Sequence, residues 1–264
     1  MPFVAAKGHQ LHYADSHPDG APENGLTFVF IHGLGSSQNY YFPILPYLTP
    51  HHRCITFDTY GSARSAYMNE PVSIESIVED VVNALVKLSV SSAVFVGHSM
   101  GGLAVTLLAT MHPAIVRGVV AIGPTHPSDT LVGGMNKRRE IVLTAGMEPM
   151  ANTIPYQATG TQCSPLAKSF IRELLIGQNP SGYAALCQAI ANAPIVDYTK
   201  VQSPFLLIAG EEDKSAPLEG CQYIFDLVSS RNKKMEVLDK VGHWHCIEAP
   251  EQVGKAIVQF TGSL

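Results

Sequence analysis

The chain has 264 residues, 46% of them hydrophobic and 15% charged, with a formal net charge of -5. It is long enough to bury a substantial core, too apolar for a disordered chain, and lacks the basic footprint of a nucleic-acid binder. The longest apolar stretches, such as 103–109, fall far short of the ~20 residues that cross a bilayer.

In chain order, residues 3–6 and 9–14 flank Lys7-Gly8 and read as an antiparallel hairpin. A β-branched and aromatic run at 26–31 reads as a buried strand ending at His32-Gly33-Leu34-Gly35. Further strands are expected at 53–57, 91–96, 118–122, 205–209 and 235–238. Such continuous apolar runs suit parallel strands covered on both faces. After Ser73, a plausible N-cap, Ile74, Ile77, Val78, Val81, Val82 and Leu85 recur at helical spacing. A last helix is expected from Pro250-Glu251, with Val253, Ala256, Ile257 and Phe260 on one face. Strands alternating with helices predict an α/β fold with a doubly wound, mostly parallel sheet.

One stretch breaks the alternation. From 128 to 196 there are helical patterns but no strand, clearest at 164–176 and 182–192, punctuated by prolines. A helical block between two sheet strands reads as a lid inserted over the sheet's edge. The core is then 1–127 with 197–264. Lys137-Arg138-Arg139, followed at once by Glu140, is the densest basic spot and reads as a solvated helix face. Cys54, Cys163, Cys187, Cys221 and Cys246 are dispersed without a C-x-x-C pair, which points to a reducing compartment. Lys7-Gly8 interrupt the opening segment before any secretory apolar region forms, so a cytoplasmic protein is expected.

Gly97-His98-Ser99-Met100-Gly101 follows the strand at 91–96 and opens an apolar helix from Gly102 to Met111. This is the G-x-S-x-G pattern of a nucleophile elbow, where a tight turn presents the serine hydroxyl. The helix N-terminus behind it offers unpaired N–H groups to a developing oxyanion. The backbone N–H groups of Leu34 and Met100 are the candidate oxyanion-hole donors. Gly33-x-Gly35 does not open a dinucleotide fingerprint, because Gln38 stands at the sixth position.

Ser99 needs a base and an acid. With the order serine, acid, histidine, the histidines to weigh are His112, His126, His243 and His245. Gly242-His243 follows the last strand, and His243 is the preferred base; His245 reads as a packing residue. Among the acids, Asp213 comes a short turn after the strand at 205–209, with Glu211, Glu212 and Asp129 as rivals. His243-Trp244-His245-Cys246 superficially resembles a ligand cluster, but no metallo-lactonase or zincin spacing accompanies it, and neither metal nor cofactor is expected. Thr125, Met150 and Trp244 are candidate substrate contacts. Trp244 equally suits bracing His243, and Met135, Met147 and Met150 suit either a pocket wall or packing within the lid.

Together the elbow, the His32-Gly33 loop, Gly210-x-x-Asp213 and Gly242-His243 resemble the α/β-hydrolase superfamily over nearly the whole chain. In style the chain is similar to enol-lactonases, including the 3-oxoadipate enol-lactonase group, and to small esterases. Asp58-x-x-Gly61 with Arg64-Ser65 looks like the family's D-x-x-G-x-G-x-S loop, with Ala63 where the family has its second glycine. The resemblance implies a serine hydrolase of a small carboxylic ester or lactone, acting through Ser99, His243 and Asp213. A C–C bond hydrolase of vinylogous diketones would use the same residues, and a slow-turnover receptor would keep the same fold.

Overall fold

The computed structural model describes residues 2–262 and 264. Eight strands form one sheet: β1 (Phe3–Ala6), β2 (His9–Asp15), β3 (Thr27–Ile31), β4 (Arg53–Phe57), β5 (Ala93–His98), β6 (Val116–Ile122), β7 (Phe205–Gly210) and β8 (Lys233–Leu238). Their spatial order is β1-β2-β4-β3-β5-β6-β7-β8. β2 pairs antiparallel with β1 and β4, and every pair from β4 through β8 is parallel. The expected hairpin therefore does more than fold on itself, because it extends the sheet at one edge. All residues of β4, β5 and β7 are buried, as parallel strands covered on both faces require.

The helices are α1 (Leu45–Leu48), α2 (Ile74–Lys87), α3 (Met100–Met111), α4 (Asp129–Ala145), α5 (Glu148–Gln157), α6 (Pro165–Ile176), α7 (Pro180–Ala191), α8 (Leu218–Leu227), α9 (His245–Glu248) and α10 (Pro250–Thr261). Ser73 caps α2 as expected, and Ser76 returns the bond in a reciprocal capping box. α3 is buried continuously from Met100 to Ala109 and packs on β5, β6 and α2. Four helices, α4 to α7, lie between β6 and β7. α4 packs on α7 and α5 on α6. Only α6 and α7 stand out in the sequence pattern. α4 carries Gly133-Gly134, and α5 has Pro155 in its interior, so both depart from good helix formers.

The turn from β5 into α3 is made by backbone packed on backbone. Ser99 adopts φ 54° and ψ -116°, a left-handed conformation that costs a non-glycine residue. A Cβ on Gly97 would strike the Gly101 carbonyl, and one on Gly101 would strike the Ile31 carbonyl. One on Gly102 would lie 2.9 Å from Pro124 Cα. Ala63 also adopts positive φ, 46°, so the loop after β4 keeps its left-handed turn without the family's glycine. Gly101→Ala should lower the unfolding free energy by about 1–3 kcal/mol, the usual cost of forcing extra volume into a close-packed site; a urea titration followed by fluorescence measures it.

Candidate active site

Three loops at the carboxyl ends of β5, β7 and β8 meet over the sheet. Ser99 comes from the first, Asp213 from the turn after β7, and His243 from the loop after β8. Ser99 Oγ lies 2.9 Å from His243 Nε2, and His243 Nδ1 lies 2.8 Å from Asp213 Oδ2. Asp213 Oδ1 accepts the N–H groups of Ser215 (2.8 Å) and Ala216 (2.9 Å). A carboxylate that accepts these donors fixes the imidazole proton on Nδ1, leaving the Nε2 lone pair facing the serine hydroxyl. Burial disfavours charge on Asp213, but the pull of the His243 imidazole, its hydrogen bond, His245 and the Ala216 N–H outweigh it. The carboxyl therefore lies below its ordinary range.

The rival residues fall elsewhere. Glu211 accepts the Lys240 N–H, Glu212 binds Thr161, and Asp129 is exposed in the first turn of α4. His112 pairs with Glu79 (2.8 Å), and His126 Nδ1 lies 3.1 Å from the Tyr198 hydroxyl.

His245 is not a bystander. It is completely buried, with Nδ1 2.9 Å from the His243 carbonyl and Nε2 3.8 Å from Asp213 Oδ2. His98, the variable residue of the elbow, lies with Nε2 2.7 Å from the same carbonyl, and its ring is stacked on Tyr40. Because a carbonyl only accepts, both imidazoles donate to it. Burial drives His98 well below its ordinary value and His245 down to about 4, so both are neutral donors near neutral pH. The second missed residue is Glu248. Its oxygens accept the N–H groups of Gly160 (2.7 Å), Gly242 (3.1 Å) and Trp244 (2.9 Å), tying the His243 loop to the turn between α5 and α6. Burial pushes its carboxyl up against the pull of those three donors. The G-H-x-x-x-x-E spacing was the available sign, since an acid at that distance can fold back on the loop's own amides.

A cavity of about 700 Å³ opens beside Ser99. The core contributes Leu34, Thr125, His126 and Trp244 to its wall, and α4 contributes Met135 and Arg138. Thr125 Oγ1 stands 3.3 Å from Ser99 Oγ. Trp244 is 2% exposed and flanks both His98 and Tyr40. It lines the cavity, and its ring contacts are with His98 and Tyr40 rather than with the His243 imidazole. Met150 is buried but does not line the cavity, and neither does Met147; of the three lid methionines only Met135 does. Arg138 leaves the solvated triplet to join the wall. The N–H groups of Leu34 and Met100 donate to no other backbone or side-chain group among the described residues. No group of three or more His, Cys, Asp or Glu side chains among the described residues is arranged to hold a metal ion, and all five cysteines are buried free thiols.

Because the folded carboxyl of Asp213 lies below its unfolded value of about 3.9, the stability it contributes is fully present above that pH. It is lost as pH falls through the lower folded value. Asp213→Asn should cost about 1–3 kcal/mol at neutral pH and show a shallower loss of stability below about pH 4. Urea titrations across pH 3 to 7 measure both.

A family model described as alpha/beta hydrolase fold matches residues 27–250. The chain is 26% identical over 249 residues to 3-oxoadipate enol-lactonase 1 of Acinetobacter baylyi, covering 92% of this chain and 91% of that protein. Among solved structures, the enol-lactonase of Burkholderia xenovorans LB400 superposes with a TM-score of 0.89 at 24% identity, over 99% of this chain and 100% of that one. A thermophilic esterase of Thermogutta terrifontis superposes with a TM-score of 0.90 at 20% identity, over 99% and 98%. Among the described residues no helix is long and apolar enough to cross a membrane. The sheet order, the position of the inserted helices and the matched span agree: the chain belongs to the alpha/beta hydrolase fold family.

Proposed function

We propose that the chain is a serine hydrolase that cleaves a small carboxylic ester or lactone through an acyl-enzyme on Ser99. The observation that carries this reading is the unbroken line from Ser99 Oγ through His243 to Asp213, with hydrogen bonds of 2.9 and 2.8 Å. As Oγ attacks the carbonyl carbon, its proton passes to His243 Nε2. Asp213 stabilises the imidazolium and holds its orientation without taking the proton itself. The carbonyl oxygen becomes negative and is met by the N–H groups of Leu34 and Met100, the latter at the positive end of α3. His243 then protonates the departing alkoxide. Water, deprotonated by the same nitrogen, resolves the acyl-enzyme.

The surroundings support this chemistry. Among the described residues both donors are free of other backbone and side-chain partners, and the neutral imidazoles of His98 and His245 add no competing positive charge beside the forming imidazolium. A mostly apolar wall that includes Leu34, Met135, Ile154 and Ile190 suits a small organic ester or lactone. The name of the enol-lactonase relative points to the same reaction class.

A fluorophosphonate probe should label the 97–101 peptide alone, as mapped by mass spectrometry. Ser99→Ala should lose that label, and hydrolysis across a panel of esters and lactones should fall at least about 10³-fold. Unchanged turnover in that variant would refute the assignment.

A further inference from the structure

His126 takes no part in the proton path described above, yet it sits on the cavity wall one residue after Thr125, whose hydroxyl is 3.3 Å from the nucleophile. Its imidazole is held from two sides. Tyr223 of α8 lies against one side, ring centroids 4.9 Å apart, and Tyr198 approaches from the turn before β7. The Tyr198 hydroxyl lies 3.1 Å from His126 Nδ1 and has no other hydrogen-bonding partner among the described residues. Tyr198 is 2% exposed, and burial holds its phenol protonated.

A buried hydroxyl with one acceptor in reach donates to that acceptor. The Tyr198 O–H therefore points at Nδ1, and the imidazole proton is held on Nε2. That nitrogen meets no protein acceptor among the described residues and is not among their buried unpartnered atoms, so it is accessible, on a residue that lines the cavity. Burial also lowers the ring's affinity for a second proton, so the group is a neutral donor.

We propose that His126 Nε2–H is a specificity-determining contact that binds a second, non-scissile oxygen of the substrate. The class selected is an ester or lactone bearing a neutral acceptor, a keto or ether oxygen, a few bonds from the carbonyl that Ser99 attacks. This rests on the serine-hydrolase reading of the same site. Tyr198 is the positioning residue, acting only by fixing which nitrogen carries the proton. A neutral donor at a fixed point discriminates by position, which the longer cationic side chains of Arg138 and Lys214 on the same wall do less sharply.

The test uses matched p-nitrophenyl and lactone substrates in which one methylene is replaced by oxygen at successive positions. For each enzyme the ratio of kcat/KM for the oxygen-bearing member to its alkyl partner is measured, so the amount of folded enzyme cancels. At one position the wild-type ratio should exceed that of His126→Phe by about 2- to 10-fold, the net worth of one hydrogen bond. His126→Gln, whose amide supplies a donor near the same point, should keep most of the preference. Tyr198→Phe leaves the imidazole in place but frees its tautomer, so the ratio should fall partway while a hydroxyl-bearing analogue gains. Steric support alone would give no such gain. Ratios that are equal in wild type and His126→Phe at every position overturn the inference. Should turnover not depend on Ser99, the underlying reading falls as well; Ser99-dependent turnover with unmoved ratios removes this inference alone.

Discussion

The site depends on one turn in which the chain passes from strand to helix with no side chains to separate it from its neighbours. Ser99 is held in a left-handed conformation because glycines on either side let β5, α3 and the end of β3 touch through their backbones. The strain is local, and the continuous burial of α3 and the flanking strands over-determines it. This brings the hydroxyl out of the sheet edge and leaves the first N–H of α3 beside it with no partner among the described residues. A looser turn would keep the serine and lose both its direction and its donor.

His243 is secured differently, by its own main chain. Two neutral imidazoles, His98 and His245, donate to the His243 carbonyl, and Glu248 gathers the N–H groups on either side of that residue. The imidazole of His243 is then left to hydrogen-bond Asp213 and Ser99, with the His98 ring 4.8 Å away. His98 lies in the elbow itself, so the Ser99 turn and the His243 loop are joined by a hydrogen bond from its side chain to the His243 carbonyl. Displacing one loop would be felt directly by the other.

The sheet was legible because its central strands β4, β5 and β7 are buried on both faces and read as unbroken apolar runs. Their ends were less legible: β6 and β8 each begin two residues earlier than hydrophobicity alone suggests, at Val116 and Lys233, where backbone pairing continues past the apolar segment. Ser99, Asp213 and His243 could be named because each follows a strong strand, and the structure brings these three together. Their roles still rest on the experiments described above. The supporting groups were hidden for a physical reason. His245 carries the same side chain whether it is exposed or wholly buried behind an acid, and nothing local distinguishes the two. The cavity wall draws Arg138, Lys214 and Tyr223 from three separate elements, so their proximity exists only after α4 and α8 have packed. Met150 shows the converse, since an apolar residue in the insertion serves that insertion's own core.

The turn between α5 and α6 is stitched to the sheet at both of the loops that carry Asp213 and His243. His243 N–H donates to Ala158 O (2.8 Å), Gly160 N–H to Glu248, and Thr161 to Glu212 through both its N–H and its hydroxyl. Four bonds converge on this short segment, and the turn between α6 and α7 is tied to the core as well, where Gln178 donates to the Ser36 carbonyl and accepts the Ala63 N–H. α4 lies farther from these bonds, with adjacent glycines and a largely exposed surface, and it packs on α7. The loops that hold Asp213 and His243 thus share one fastening, and a change in that single turn reaches both of them.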